Sequence, residues 1–85
     1  MYKVIWRDEA IEDLVQIDRV IAQKIFDKVE NHLAKDPYLG KPLVYQYKGL
    51  YGYRFSRYRV IYQIKNQELL ITVIRVDHRR EVYKK

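Results

Sequence analysis

LYGYRFSRYRVIYQI, residues 50–64, decides the fold, because apolar and polar side chains alternate along it on both sides of Ser56. Alternation with a period of two is typical of β-strands that have one buried face. The stretch therefore predicts two antiparallel strands joined at Ser56. In such a hairpin Arg54 and Arg59 become near cross-strand neighbours on one face. Two like charges at that distance repel, which suggests an anion between them.

Two amphipathic helices are predicted before this hairpin. Asp8 and Glu9 follow Arg7 and suit the first turn of a helix, where the helix dipole favours negative charge. Apolar residues then recur at spacings of three and four: Ala10, Ile11, Leu14, Val15 and Ile17. Asp18 is a suitable N-cap for a second helix with a similar stripe. That stripe consists of Ala22, Ile25, Phe26, Val29 and Leu33.

Further strands are predicted on either side of the helices and the hairpin. Residues 2–6 and 69–76 are rich in β-branched side chains. Residues 36–49 hold both prolines and two of the three glycines, which predicts a loop with an edge strand at 43–45. The expected fold is α+β in the order βααβββ, with a helical hairpin packed on one face of a largely antiparallel sheet. We expect residues 1–85 to form one domain.

Composition excludes several classes of protein. There is no cysteine, so disulfides and thiolate metal sites are excluded. His32 and His78 lie far apart in sequence without nearby carboxylate spacing, and we expect neither a metal site nor a cofactor. No apolar run is long enough to span a membrane, and MYKVIW is typical of a strand and not of a signal peptide. The expected compartment is the cytoplasm.

The net charge of +6 lies in the C-terminal part of the chain. Residues 1–50 contain eight Lys/Arg and eight Asp/Glu, whereas residues 51–85 contain nine against three. A concentrated positive field attracts polyanions and indicates RNA or DNA as a partner. An acidic protein would use the same field.

The C-terminal stretch VDHRREVY, residues 76–83, adds chemistry to this charge. If the last strand ends near Val76, the following segment brings His78, Arg79 and Tyr83 towards the face of the two hairpin arginines. Guanidiniums bind phosphate, imidazole transfers protons near neutral pH, and cations lower the pKa of a phenol. Such a set suits metal-free cleavage of RNA, in which the ribose 2′-OH is an internal nucleophile.

Each of these residues taken alone also fits a simpler interpretation. The arginines can be solvated side chains whose stems cover the sheet. His78 can be a surface residue at a strand end, and Tyr83 an anchor for the tail. We expect most of the nine tyrosines to fill a half-buried sheet face, Trp6 to pack in the interior and His32 to lie on the helix surface.

The segments GLYGYRFSRYRVIYQI and VIRVDHRREVY together resemble the RelE/ParE superfamily, the toxins of type II toxin–antitoxin pairs. The likeness covers nearly the whole chain, including AIEDL in the first helix. It implies a single RelE-like toxin domain over residues 1–85. For the RelE branch it implies an mRNA interferase, an endoribonuclease that cleaves mRNA on the ribosome without a metal.

The resemblance also implies roles for individual residues. Tyr83 matches the general base that acts on the 2′-OH, and Arg79 the partner of the leaving 5′-oxygen. His78 matches a histidine that serves as the acid in some relatives, so the source of the proton stays open between the two. Arg59 matches the main phosphate clamp and Arg54 a second one. Further phosphate-binding candidates are Arg57 and Arg80, the latter replacing Arg79 if the register differs by one.

Gly52 stands where RelE itself has a basic residue, so that contact is missing or supplied elsewhere. The implied partners are a cognate antitoxin, mRNA on the ribosome, and operator DNA only through the antitoxin. Two alternatives stay open. One is a ParE-like toxin that binds and inhibits DNA gyrase, and the other is a non-toxic relative that acts as an interaction module.

Overall fold

A computed structural model describes residues 1–78. Seven regular elements form the fold: β1 (Lys3–Trp6), α1 (Asp8–Val15), α2 (Arg19–Lys28), β2 (Lys41–Pro42), β3 (Tyr51–Phe55), β4 (Tyr58–Lys65) and β5 (Leu70–His78). A π-helical turn, Val29–Leu33, extends α2. Short 3-10 turns lie at Pro37–Leu39, Tyr45–Tyr47 and Asn66–Glu68. No helix within this part of the chain is long and apolar enough to cross a membrane.

The five strands form one mixed sheet in the order β1-β5-β4-β3-β2. β1 runs parallel to β5, and the other neighbours are antiparallel. The predicted βααβββ order and largely antiparallel sheet are therefore confirmed. The parallel pairing of β1 with β5 places the last strand inside the sheet, beside the first one.

The second helix begins at the residue that the sequence indicates. The Asp18 carboxylate accepts hydrogen bonds from the backbone N–H groups of Val20 and Ile21, at 3.2 and 3.5 Å. These bonds satisfy donors that have no partner inside the helix. The predicted apolar stripe continues through the π-turn, because Ile25, Val29 and Leu33 are all fully buried.

Both helices cover one face of the sheet, and the core lies between the two layers. From the sheet it contains Val60, Tyr62, Ile71, Val73 and Val76, and from the helical side Ala10, Ile25, Val29 and Leu33. Trp6 packs against this core as predicted. Its ring also stacks on that of Phe26, with the ring centroids 5.5 Å apart. The indole N–H donates to the Glu30 carboxylate at 2.9 Å, which satisfies its one polar group.

The edge strand lies two residues earlier than predicted. Lys41 and Pro42 pair with Gly52 and Tyr51, whereas residues 45–47 form a 3-10 turn. Proline cannot donate a hydrogen bond to a sheet and is tolerated at its edge, so β2 is short. The prediction of a strand at 43–45 was wrong: Leu43 still donates to the Leu50 carbonyl at 2.9 Å, but Tyr45 adopts a left-handed backbone with φ of 58° and begins the 3-10 turn.

Tyr62 ties this loop to the core. Its hydroxyl donates to the carbonyl of Pro37 at 2.6 Å, and burial raises the pKa of Tyr62 to about 12. Gly40 lies close to Gly52 of β3, and a Cβ at position 40 would stand 2.7 Å from the carbonyl oxygen of Gly52. Only glycine fits at this close approach of two backbone segments.

A β-bulge interrupts β5. Val60 pairs with Val76 and Ile61 with Arg75, but Tyr62 pairs with Val73, so Ile74 is an extra residue. In a regular strand, residues 75 and 77 would share the core face of Ile71 and Val73. The bulge reverses the alternation. Val76 therefore returns to the core, and Arg75 and Asp77 move to the opposite face.

Asp13 of α1 fastens β5 beyond the end of β1. Its carboxylate accepts from the Val76 backbone N–H at 2.8 Å and from Nε and Nη2 of Arg75 at 2.8 and 3.1 Å. Partial burial alone would raise the pKa of Asp13, but the hydrogen bonds from Arg75 and Val76 outweigh it. The pKa is therefore lowered from its ordinary 3.8. This carboxylate covers a strand edge that β1 leaves unpaired.

We expect Asp13→Asn to lower the free energy of unfolding at neutral pH by about 1 to 2 kcal/mol, since it removes charge-assisted bonds to a half-exposed arginine. The folded-state pKa of Asp13 lies below the unfolded one. Its contribution is therefore complete above about pH 4 and disappears as the pH falls through the folded value. Urea unfolding at several pH values checks this. The stability of the variant should depend less on pH in the acid range.

Glu12→Gln is the matched control, because it removes the same charge from the neighbouring exposed position. We expect it to change stability by less than about 0.5 kcal/mol. Equal effects of the two substitutions would contradict the role of Asp13.

Candidate functional site

Arg54 and Arg59 lie directly opposite each other on β3 and β4, as the sequence predicts. Val60 and Tyr62 of β4 face the helices, so by alternation these arginines occupy the other face of the sheet. Arg54 is exposed. The Arg59 side chain keeps only 19% of its surface accessible. The two residues thus place one exposed and one largely buried arginine side chain side by side.

Gly52 makes room for the stem of Arg59. A Cβ at position 52 would lie 3.2 Å from Cδ and 3.4 Å from Cγ of Arg59, and 3.0 Å from a methyl group of Leu43. The stem therefore lies flat across the glycine of the neighbouring strand. Tyr47, in the 3-10 turn after β2, places its ring 5.5 Å from the guanidinium carbon. This is a cation–π contact that covers the arginine from the loop side.

Asp77 lies across from Arg59 on the other neighbouring strand, β5. Nη2 of Arg59 stands 3.6 Å from a carboxylate oxygen of Asp77, which is an ion pair without a close hydrogen bond. The Arg59 Nε is buried and has no hydrogen-bond acceptor among residues 1–78. The guanidinium is therefore held in place but incompletely hydrogen-bonded within residues 1–78, and the 19% of the side chain that stays accessible can contact another anion.

Sequence reasoning missed Asp77 as a member of this site. Strict alternation from Ile71 and Val73 would place residue 77 in the core, and only the bulge moves it beside Arg59. The sequence did contain one signal, which is the aspartate itself, because an aspartate without a partner is unfavourable at a core position. The protein thus supplies an anion to Arg59 from β5, on the side away from Arg54, and not between the two arginines.

His78 lies on the other face of the sheet. It pairs with Tyr58 across β4 and β5, and the two rings meet edge to face at 5.0 Å. Tyr58 packs against the core under the helices. The prediction that His78 turns towards the arginine face was therefore wrong, and the bulge that moves Asp77 to that face moves His78 away from it.

The remaining predicted site residues fall in two groups. Arg57 is exposed in the β3–β4 turn, next to Ser56, whose φ is 58°. Arg79, Arg80 and Tyr83 lie outside the described residues, so their roles stay predictions. His32 is exposed on the helical side, as predicted. Within residues 1–78 no three His, Asp or Glu side chains are grouped to hold a metal.

Solved structures of toxins and of toxin–antitoxin complexes share this architecture. A chain of the RelBE2 toxin–antitoxin complex from Mycobacterium tuberculosis matches with a TM-score of 0.86 and 29% identity, covering 92% of this chain and 91% of that chain. The isolated Escherichia coli RelE toxin shares the fold, with a TM-score of 0.75 at 20% identity, covering 99% of this chain and 93% of RelE. The fold is thus that of the RelE/ParE superfamily of type II toxin–antitoxin toxins.

Sequence comparison gives the family. Residues 4–83 match the family described as the ParE toxin of type II toxin-antitoxin system, parDE, and the chain belongs to that family. Toxin RelG of Mycobacterium tuberculosis (strain ATCC 25618 / H37Rv) is 28% identical over 85 residues, which cover 99% of this chain and 98% of RelG. The superfamily indicated by the two sequence motifs is confirmed.

The contact between Tyr47 and Arg59 can be measured by a double-mutant cycle. We expect Tyr47→Leu and Arg59→Met to be coupled by about 0.5 to 1 kcal/mol in the free energy of unfolding, because either substitution alone removes the cation–π contact. Denaturant unfolding of the four proteins gives this value.

Tyr45→Leu is the control, because Tyr45 lies in the same turn but exposes 90% of its surface. It should show no coupling to Arg59→Met. A coupling as large as that of Tyr47 would mean that the turn as a whole, and not the ring, senses the arginine.

Proposed function

We propose that this toxin is a metal-free endoribonuclease that cleaves mRNA on the ribosome. The observation that carries the proposal is the incompletely satisfied Arg59. It is held by Gly52 and Tyr47, beside Arg54, and its buried Nε has no acceptor within residues 1–78. A guanidinium fixed in this way is suited to donate two parallel hydrogen bonds to one phosphate group.

The two arginines hold the scissile phosphate in this proposal. Arg59 binds its non-bridging oxygens and stabilises the negative charge that gathers on them during the reaction. Arg54, the exposed cross-strand neighbour, supplies a second charge from the adjacent strand. Arg57 and Arg80 contribute to binding of the neighbouring phosphates. A positive face of this kind binds the RNA backbone without reading its sequence.

The chemical step uses the RNA's own hydroxyl. Tyr83, as general base, takes the proton from the ribose 2′-OH, and the 2′-oxygen attacks the adjacent phosphorus. The bond from phosphorus to the 5′-oxygen breaks, which leaves a 2′,3′-cyclic phosphate and a 5′-hydroxyl. The 5′-oxygen receives a proton as it leaves. We assign the role of assisting the leaving 5′-oxygen to Arg79 and not to His78. His78 packs on Tyr58 on the opposite face of the sheet.

The proposed partners follow from the family and from the charge. Related solved structures include toxin–antitoxin complexes, and we propose that a cognate antitoxin holds this toxin inactive in the cytoplasm. The excess of Lys and Arg over residues 51–85 suits an acidic antitoxin segment as well as RNA. Operator DNA is bound through the antitoxin.

Induced expression of variants tests the nuclease. We expect Arg59→Ala and Tyr83→Phe each to slow mRNA cleavage by about a hundredfold or more, because one removes charge stabilisation and the other the base. Growth and the mapped 5′ ends of cut transcripts are the readouts. Arg19→Ala and Tyr45→Phe are matched controls at exposed positions and should remain as toxic as the parent. If Arg59→Ala and Tyr83→Phe both remain as toxic as the parent protein, the proposal is wrong.

The family match supports a second candidate function. The family is described by the name ParE, and a ParE-like toxin would inhibit DNA gyrase by binding alone. In that case induction should remove negative supercoils from plasmid DNA and leave transcripts intact. Agarose gels of plasmid topology and transcript mapping on the same cultures separate the two functions. A nuclease would cut transcripts before plasmid supercoiling changes.

A further inference from the structure

We propose that Asp77 sets the RNA affinity of the site by competing with the substrate phosphate for Arg59. This rests on the proposed phosphate-binding role of Arg59. The carboxylate is a fixed anion beside the guanidinium, and a phosphate must replace its attraction in order to bind. Asp77 would then weaken the capture of free RNA, so that other contacts must bring the RNA to the site.

The backbone fixes the position of the carboxylate. Arg59 lies in β4 with Arg54 opposite it on one side and Asp77 on the other. The neighbouring pairs are Val60 with Val76 and Tyr58 with His78, and they hold the register through apolar and ring contacts. The charge of Asp77 is therefore not needed for strand pairing. Its side chain is 22% accessible, so water only partly screens the ion pair.

The geometry of the pair favours exchange over permanent pairing. The Nη2 to carboxylate distance of 3.6 Å is too long for a close hydrogen bond. Nε, on the same edge of the guanidinium as Nη2, has no acceptor among the residues described. A phosphate that reaches the accessible part of the guanidinium can form closer, charge-assisted hydrogen bonds, whereas Asp77 offers a single contact at 3.6 Å. Asp77 thus pairs with Arg59 when RNA is absent, and a well-placed phosphate displaces it.

The consequence is selection for RNA that is held in place. A phosphate on a freely diffusing strand must outcompete Asp77 at its own solution concentration. A strand that is positioned by a larger surface presents the phosphate at a much higher effective concentration. The carboxylate therefore reduces binding of the positioned strand only slightly, whereas it suppresses binding and cleavage of freely diffusing RNA.

Binding to a short single-stranded RNA with 2′-O-methyl riboses tests the proposal, since this probe lacks the nucleophilic hydroxyl and stays intact. We expect Asp77→Asn to bind roughly threefold to tenfold more tightly than the parent, which is the range for a partly screened ion pair. Glu68→Gln is the control. It makes the same change of charge in the exposed turn at the other end of β4, about 20 Å away along the strand.

A cycle with Arg59→Ala separates competition from a general charge effect. In the Arg59→Ala background, Asp77→Asn should improve binding no more than Glu68→Gln does. Asp77→Ser is a second variant that removes the carboxylate with a smaller side chain, and circular dichroism verifies that each protein is folded. The free-RNA cleavage rate of Asp77→Asn should rise in parallel with its affinity.

The outcomes are distinguishable. If Arg59→Ala binds the probe as well as the parent, the proposed phosphate clamp is wrong. If Arg59→Ala weakens binding, but Asp77→Asn and Asp77→Ser behave like Glu68→Gln, the clamp stands and the role of Asp77 is wrong. Weaker binding by both Asp77 variants would also overturn the proposal, because it would mean that the carboxylate orients Arg59 and does not compete for it.

Discussion

The single extra residue in β5 is the constraint on which both faces of this sheet depend. Before Ile74, the strand contributes Ile71 and Val73 to the core; after it, Val76 takes over. The reversal lets the strand bury a valine on each side of the bulge, Val73 and Val76, while it places Asp77 beside Arg59. Asp13 completes the arrangement, because it satisfies the Val76 N–H where β1 no longer reaches. Without the bulge, a charged residue would face the core.

Much of the fold can be predicted from the sequence because its patterns are local. The alternation around Ser56 predicts the hairpin and the Arg54–Arg59 pair, and Asp18 marks the start of α2. The bulge leaves only a weak signal, which is the charge of Arg75 and Asp77 at positions where regular alternation from Ile71 and Val73 would require core residues. That is why Asp77 was missed and His78 was placed on the wrong face. The parallel pairing of β1 with β5 depends on distant residues and escapes local patterns as well.

Arg59 shows how a small domain accommodates a functional group. A buried donor without an acceptor is unfavourable by about 1 to 3 kcal/mol, and Arg59 Nε is such a group within residues 1–78. The protein offsets this with contacts that bind the side chain elsewhere: the stem lies on Gly52, the ring of Tyr47 covers the cation, and Asp77 lies nearby. Residues that are well positioned but poorly satisfied are typical of binding sites, where stability is given up for affinity.

The pairing of the first strand with the last has a consequence for biosynthesis. Lys3 of β1 lies beside Leu70 of β5, so the contact spans most of the chain. Contacts of such high sequence separation form late, since the intervening loop must close first. The nascent chain emerges from its N-terminus, and β1 then has no neighbour in the sheet until the final strand has been translated. A product that ends before β5 lacks the strand that joins β1 to β4, so the five-stranded sheet forms only after β5 has been synthesised.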